Sequence, residues 1–79
     1  MVKDEIYKQI AEYGNCYAWY MGGPVEIIKK DDALWARCLA NGRWGILYFA
    51  GLDRDYRVEN VKILQREVIE ILYGRLQAP

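Results

Sequence analysis

The dipeptide Asn41–Gly42 lies between two apolar runs, Ala33–Ala40 (ALWARCLA) and Arg43–Ala50 (RWGILYFA). A two-residue hairpin turn whose twist matches its strands needs positive φ at both central residues. Asn-Gly meets that need at low steric cost. The chain is therefore expected to form an antiparallel hairpin here. With Asn41–Gly42 as the turn, Ala40 opposes Arg43, Leu39 opposes Trp44, Arg37 opposes Ile46 and Trp35 opposes Tyr48.

The other elements build outward from this hairpin. Val2, Ile6, Ile10 and Tyr13 recur at helical spacing, which predicts a helix from Lys3 to Tyr13. Asp4 and Glu5 suit its positive end, and Gly14 suits a left-handed cap. Cys16–Met21 (CYAWYM) reads as a strand, with Gly22–Gly23 as the tight turn after it. Pro24 then opens the next strand, Val25–Lys29, and Lys30–Asp31–Asp32 forms a polar turn. Gly51 closes the last strand, and Leu52–Asp55 makes a loop. A long helix is predicted from Tyr56 to Tyr73, with Asp53 or Asp55 as its N-cap and Gly74 as its C-cap. Its core stripe is Val58, Val61, Leu64, Val68, Ile71 and Leu72, and Arg66 and Glu70 are spaced to pair on its wet face.

The order is α-β-β-β-β-α. The predicted fold class is α+β: a four-stranded antiparallel β-meander with an N-terminal helix and a longer C-terminal helix. The 79 residues make a single domain. A chain of this size buries only about 60% of its unfolded surface, so its core must be used efficiently. An apolar fraction of 53% excludes disorder, but seven Tyr and three Trp are more aromatic area than such a core hides easily.

Register decides where those aromatics go. The count about Asn41–Gly42 puts Trp35, Arg37, Leu39, Trp44, Ile46 and Tyr48 on one face. Leu34, Ala36, Cys38, Gly45, Leu47 and Phe49 share the other. The count about Gly22–Gly23 groups Tyr17, Trp19, Met21, Glu26 and Ile28 against Cys16, Ala18, Tyr20, Val25 and Ile27, and sets Glu26 opposite Trp19. Small residues admit a helix, so the Cys16, Ala18, Ala36, Cys38 and Gly45 side is assigned to both helices. The face with Trp19, Trp35 and Trp44 is then left open. The competing arrangement puts one helix on each face and buries Arg37, which would need a partner.

Composition excludes several chemistries. The sequence has no His, no Ser and no Thr. Ser–His–Asp and Cys–His nucleophile arrangements cannot be built within it, nor can a Cys2His2 zinc site. Cys16 and Cys38 match no metal-ligand spacing and read as reduced core thiols. Asp53-Arg54-Asp55 with Glu59 lacks the glycine and terminal glutamate of a calcium loop, so no metal and no cofactor is expected. The N-terminal stretch is charged and the longest apolar run, Gly45–Leu52, is too short to span a bilayer, so a cytoplasmic location without membrane contact is expected.

Aromatic residues and Arg dominate binding hot spots, and an apolar patch of this extent marks an interface. The expected function is a small non-enzymatic protein-interaction module, a binding, inhibitory or accessory protein of the kind a phage or mobile element encodes. Tyr17, Trp19, Trp35, Arg37, Leu39, Trp44, Ile46 and Tyr48 would form the interaction face. The partner is another protein or a second copy in a homodimer. The alternative is single-stranded nucleic-acid binding, with bases stacked on the same face and Arg37, Arg43 and Arg54 meeting phosphates. Eleven basic residues are matched by eleven acidic ones, which weakens that alternative.

Overall fold

The structure, a computed structural model, describes residues 2–49 and 56–77, and side chains within 2–48 and 58–71. The expectations for Gly51, for the Leu52–Asp55 loop, for the caps at Asp53 and Asp55, for Arg54 and for the Leu72 side chain lie outside these residues. The fold is α+β. Helix α1 (Val2–Tyr13) leads into strands β1 (Cys16–Tyr20), β2 (Gly23–Lys30), β3 (Ala33–Cys38) and β4 (Trp44–Phe49). A short helix α2 (Tyr56–Glu59), a two-residue strand β5 (Lys62–Ile63) and helix α3 (Arg66–Gln77) follow. The sheet has five strands in the order β4-β3-β2-β1-β5, every pair antiparallel.

Helix α1 ends as its sequence dictates. Gly14 takes φ 88° and its N–H donates to the Ile10 carbonyl at 2.8 Å. Ile6 is fully buried, with Val2, Tyr7 and Ile10 packed beside the core, whereas Tyr13 is exposed. Burying an isoleucine contributes about 2–3 kcal/mol, so the Ile6 stripe holds α1 against the sheet. The core comprises Ile6, Cys16, Ala18, Val25, Ile27, Leu34, Leu47, Val58 and Val61. Helices α1 and α2 both supply it, and the Cys16–Ala18 side is the helix side.

The turns differ from expectation. Between β1 and β2 the turn is Met21–Gly22, both at positive φ (51° and 83°), with Tyr20 paired to Gly23. Tyr17 therefore opposes Glu26, and Trp19 opposes Pro24. Asp31 and Asp32 form a second turn of the same kind, at φ 53° and 60°. Asn41–Gly42 does close a hairpin, but the loop has four residues, Leu39–Gly42. The Cys38 N–H donates to the Arg43 carbonyl at 2.8 Å, the Gly42 N–H donates to the Cys38 carbonyl at 2.7 Å, and the Asn41 side-chain oxygen accepts from the Arg43 N–H at 2.9 Å. Only Gly42 of the pair has positive φ.

The registers expected about Gly22–Gly23 and Asn41–Gly42 each slip by two residues, and a slip of two leaves every side chain on its expected face. A bulge in β4 does not. Trp35 pairs with Ile46 but Leu34 pairs with Tyr48, so Leu47 is the extra residue. From that point β4 changes faces.

The expected long C-terminal helix is broken. Asn60, a poor helix former, and the β-branched Val61 and Ile63 weaken it there. The open edge of β1 offers hydrogen bonds in its place. Ile63 pairs with Ala18, Lys62 pairs with Trp19, and the Leu64 N–H donates to the Tyr17 carbonyl at 3.0 Å. Val58 and Val61 stay in the core, while Val68 and Ile71 are exposed and Ile69 is buried. Helix α3 has 12 residues, the same as α1, and continues through Gly74 instead of stopping there.

Candidate functional site: the open face of the sheet

Register lays out the face opposite α1 and α2 in rows. The central row, crossing four strands, is Trp44, Arg37, Glu26 and Tyr17. A row to one side holds Ile46, Trp35 and Ile28, and a row to the other holds Pro24, Trp19 and Lys62. Trp19 and Trp44 are 43% and 49% exposed, well above what core indoles show. Tyr17, Trp35 and Ile46 are half-buried. The Trp35 indole N–H donates to the Lys30 carbonyl at 3.2 Å, which pins that ring across the end of β2. Ile28, Lys30, Asp31, Trp35 and Trp44 line a shallow cavity of about 400 Å3.

Two of the expected face residues are elsewhere. Leu39 belongs to the loop after β3, its N–H donates to the Pro24 carbonyl at 3.1 Å, and the residue is buried. It offers no surface to a partner. Tyr48 lies beyond the bulge, packs against the core, and has the Lys3 ammonium 4.8 Å from its ring centroid. The bulge sets it opposite Leu34, on the helix side.

The charged centre of the face is a connected network. Arg37 donates to Glu26 Oε1 through Nε (3.1 Å) and Nη2 (2.9 Å). Glu26 Oε2 accepts from the Asn15 amide at 2.7 Å, and that amide also reaches the Tyr17 hydroxyl at 3.3 Å. Asn15 in turn holds Arg66. Its side-chain oxygen accepts from Arg66 Nη2 at 2.7 Å, and its carbonyl accepts from Nη1 at 3.3 Å. The Arg66 guanidinium lies 4.3 Å from the Tyr13 ring centroid and 4.9 Å from that of Tyr17, within cation–π range of both. Arg37 is 5.7 Å from the Trp44 ring.

Arg66 therefore turns to the start of β1 and not to Glu70, and it fixes the start of α3 at the margin of the face. Asn15, Tyr13 and Arg66 are the site residues that sequence reasoning missed. Asn15 and Arg66 are 51 positions apart, and no local pattern joins them.

The helix side also keeps an opening. Ala36, Cys38 and Gly45, expected beneath a helix, instead line a cleft of about 630 Å3 with Tyr20, Val25 and Asn60. Helix α1 packs on β1 and β2 and α2 packs on β4. Cys38 is consequently half-buried, whereas Cys16 is fully buried, and both thiols are free. Burial pushes the Cys16 thiol from its ordinary 9.0 up to about 11; the Glu5 carboxylate adds to the rise and Arg66 opposes it. A neutral, enclosed thiol of this kind is a core side chain, not a nucleophile.

Among the described residues, no helix is long and apolar enough to cross a membrane, and no group of three or more Cys, Asp or Glu side chains gathers as a metal site. No family model, curated protein or solved structure matches the chain.

Proposed function

We propose that the protein is a non-enzymatic protein-interaction module that binds through the open face of its sheet. The observation that carries this reading is the pair of exposed indoles, Trp19 and Trp44, flanking a hydrogen-bonded Arg37–Glu26 pair. Aromatic side chains around a satisfied charge pair supply apolar contact area without leaving a charge to be desolvated unpaired. The residues that carry binding are Tyr17, Trp19, Trp35, Arg37, Trp44 and Ile46. Single-stranded nucleic acid is the weaker alternative, because Glu26 neutralises the cation at the centre of the face and places a carboxylate where phosphates would approach.

The test is photo-crosslinking in cells, with the reactive group placed at Trp44 and, as a control, at Glu12 on α1. Protein adducts from position 44, weakened when Trp19 is replaced by Ala, are expected. Equal adducts from both positions, or RNA as the dominant adduct, would overturn the reading.

A further inference from the structure

We propose that the occupant of the open face is a second copy of this chain, docked face to face about a twofold axis running along the strands between β2 and β3. This rests on the interaction reading above and adds the partner and the geometry. An isologous interface requires a patch complementary to itself. The central row runs aromatic, cation, anion, aromatic: Trp44, Arg37, Glu26, Tyr17. Its midpoint lies between the paired residues Glu26 and Arg37. A twofold axis along the strands at that midpoint lays β3 over the partner's β2 and β4 over the partner's β1. Arg37 then meets the partner's Glu26, and Trp44 meets the partner's Tyr17. In the next row Trp35 meets the partner's Ile28. Trp19, on β1 in the row to the other side, falls beside the partner's Trp44, so the two most exposed indoles of each copy converge.

Charge selects this axis. An axis across the strands would set Glu26 on the partner's Glu26 and Arg37 on the partner's Arg37, and like charges across an interface are strongly disfavoured. The strands of the two copies stay aligned, as in face-to-face sheet packing. The in-chain pair keeps its hydrogen bonds, so pairing buries no unpartnered charge. A foreign partner of one charge sign would meet a neutral pair and gain no such match.

The test is a charge exchange. The double variant E26R/R37E keeps an ion pair within the chain but reverses its direction. Mass by light scattering over a concentration series is expected to give a dimer for the wild type and for the double variant. Native mass spectrometry of their mixture is expected to give almost no mixed dimer, because both sites would then juxtapose like charges. Where circular dichroism shows the double variant unfolded, W19K and W44E replace it. Each is expected to be monomeric alone, and the two to pair when mixed.

A wild type that stays monomeric at every concentration overturns self-pairing, while adducts to a foreign protein from position 44 would still uphold the interaction reading. A dimer that mixes freely with the double variant overturns this axis. A dimer that survives replacement of both Trp19 and Trp44 by Ala overturns the use of this face altogether.

Discussion

Arg37 and Glu26 are cross-strand neighbours joined through a single carboxylate oxygen, which accepts from both Nε and Nη2 of the guanidinium. Their side chains are 28% and 16% exposed, enough burial for the pair to matter and enough exposure for water to temper it. Replacing Arg37 by Met leaves the carboxylate with Asn15 and is expected to cost about 1–2 kcal/mol. Replacing Glu26 by Gln should cost a similar amount. A double-mutant cycle in urea is expected to give a coupling of about 1 kcal/mol. Strictly additive losses would mean that the pair is a surface coincidence.

Arg66 holds the start of α3 by two different means, hydrogen bonds to Asn15 and stacking on Tyr13 and Tyr17. Lysine keeps the charge but loses the planar fork, so R66K is not expected to rescue what R66A loses. Both variants should raise amide hydrogen exchange across residues 66–77 and leave that of β2 and β3 unchanged. Protection of α3 equal to wild type in R66A would show that the helix is held by other contacts, those of Ile69 foremost.

The face was legible in the sequence because the errors in turn placement were even. Gly22–Gly23 is a plausible turn on propensity, yet the chain places Met21 in the left-handed region and slips the register by two. Trp19, Trp35, Arg37, Trp44 and Ile46 kept their side of the sheet. Tyr48 did not, because the run WGILYF is apolar throughout and gives no alternation from which a bulge at Leu47 could be read. The break at Asn60 was hidden by a helical stripe of valines and leucines that continues through it. What decides that break is the edge of β1, a tertiary partner that no window of Tyr56–Tyr73 contains. The Asn15–Arg66 contact was hidden for the same reason.

Met21 is 88% exposed at φ 51°, followed by Gly22 at φ 83°. A non-glycine residue in that region costs about 1–2 kcal/mol unless it is Asn or Asp. M21N creates the Asn-Gly sequence this turn type favours and is expected to stabilise the fold by roughly 0.5–1 kcal/mol. D32G creates Asp-Gly in the second turn, with a smaller gain because glycine also frees the unfolded chain. Thermal melts check both. A lower melting temperature for M21N would mean that the Met21 side chain makes a contact worth more than the strain it bears.

The two thiols should behave differently, and the difference carries a pH dependence. Cys16 is sealed in the core with its pKa raised from 9.0 to about 11, and Cys38 lines the cleft on the helix side. A disulfide reagent near pH 8 is expected to modify Cys38 in the native protein and Cys16 only on unfolding. Above pH 9 the unfolded chain releases the Cys16 proton while the folded chain keeps it until about pH 11. The folded state thus binds more protons in that window, so stability falls as pH rises through it. The contribution is fully present below pH 9 and declines by up to about 2–3 kcal/mol once pH passes 11. The measured quantity is the difference between wild type and C16A in urea, taken at steps from about pH 8 to about pH 11, so that every titration common to both proteins cancels. The advantage of wild type over C16A is expected to shrink with rising pH. Parallel curves would mean that Cys16 ionises as readily folded as unfolded, and that the core around Ile6 and Ala18 admits water.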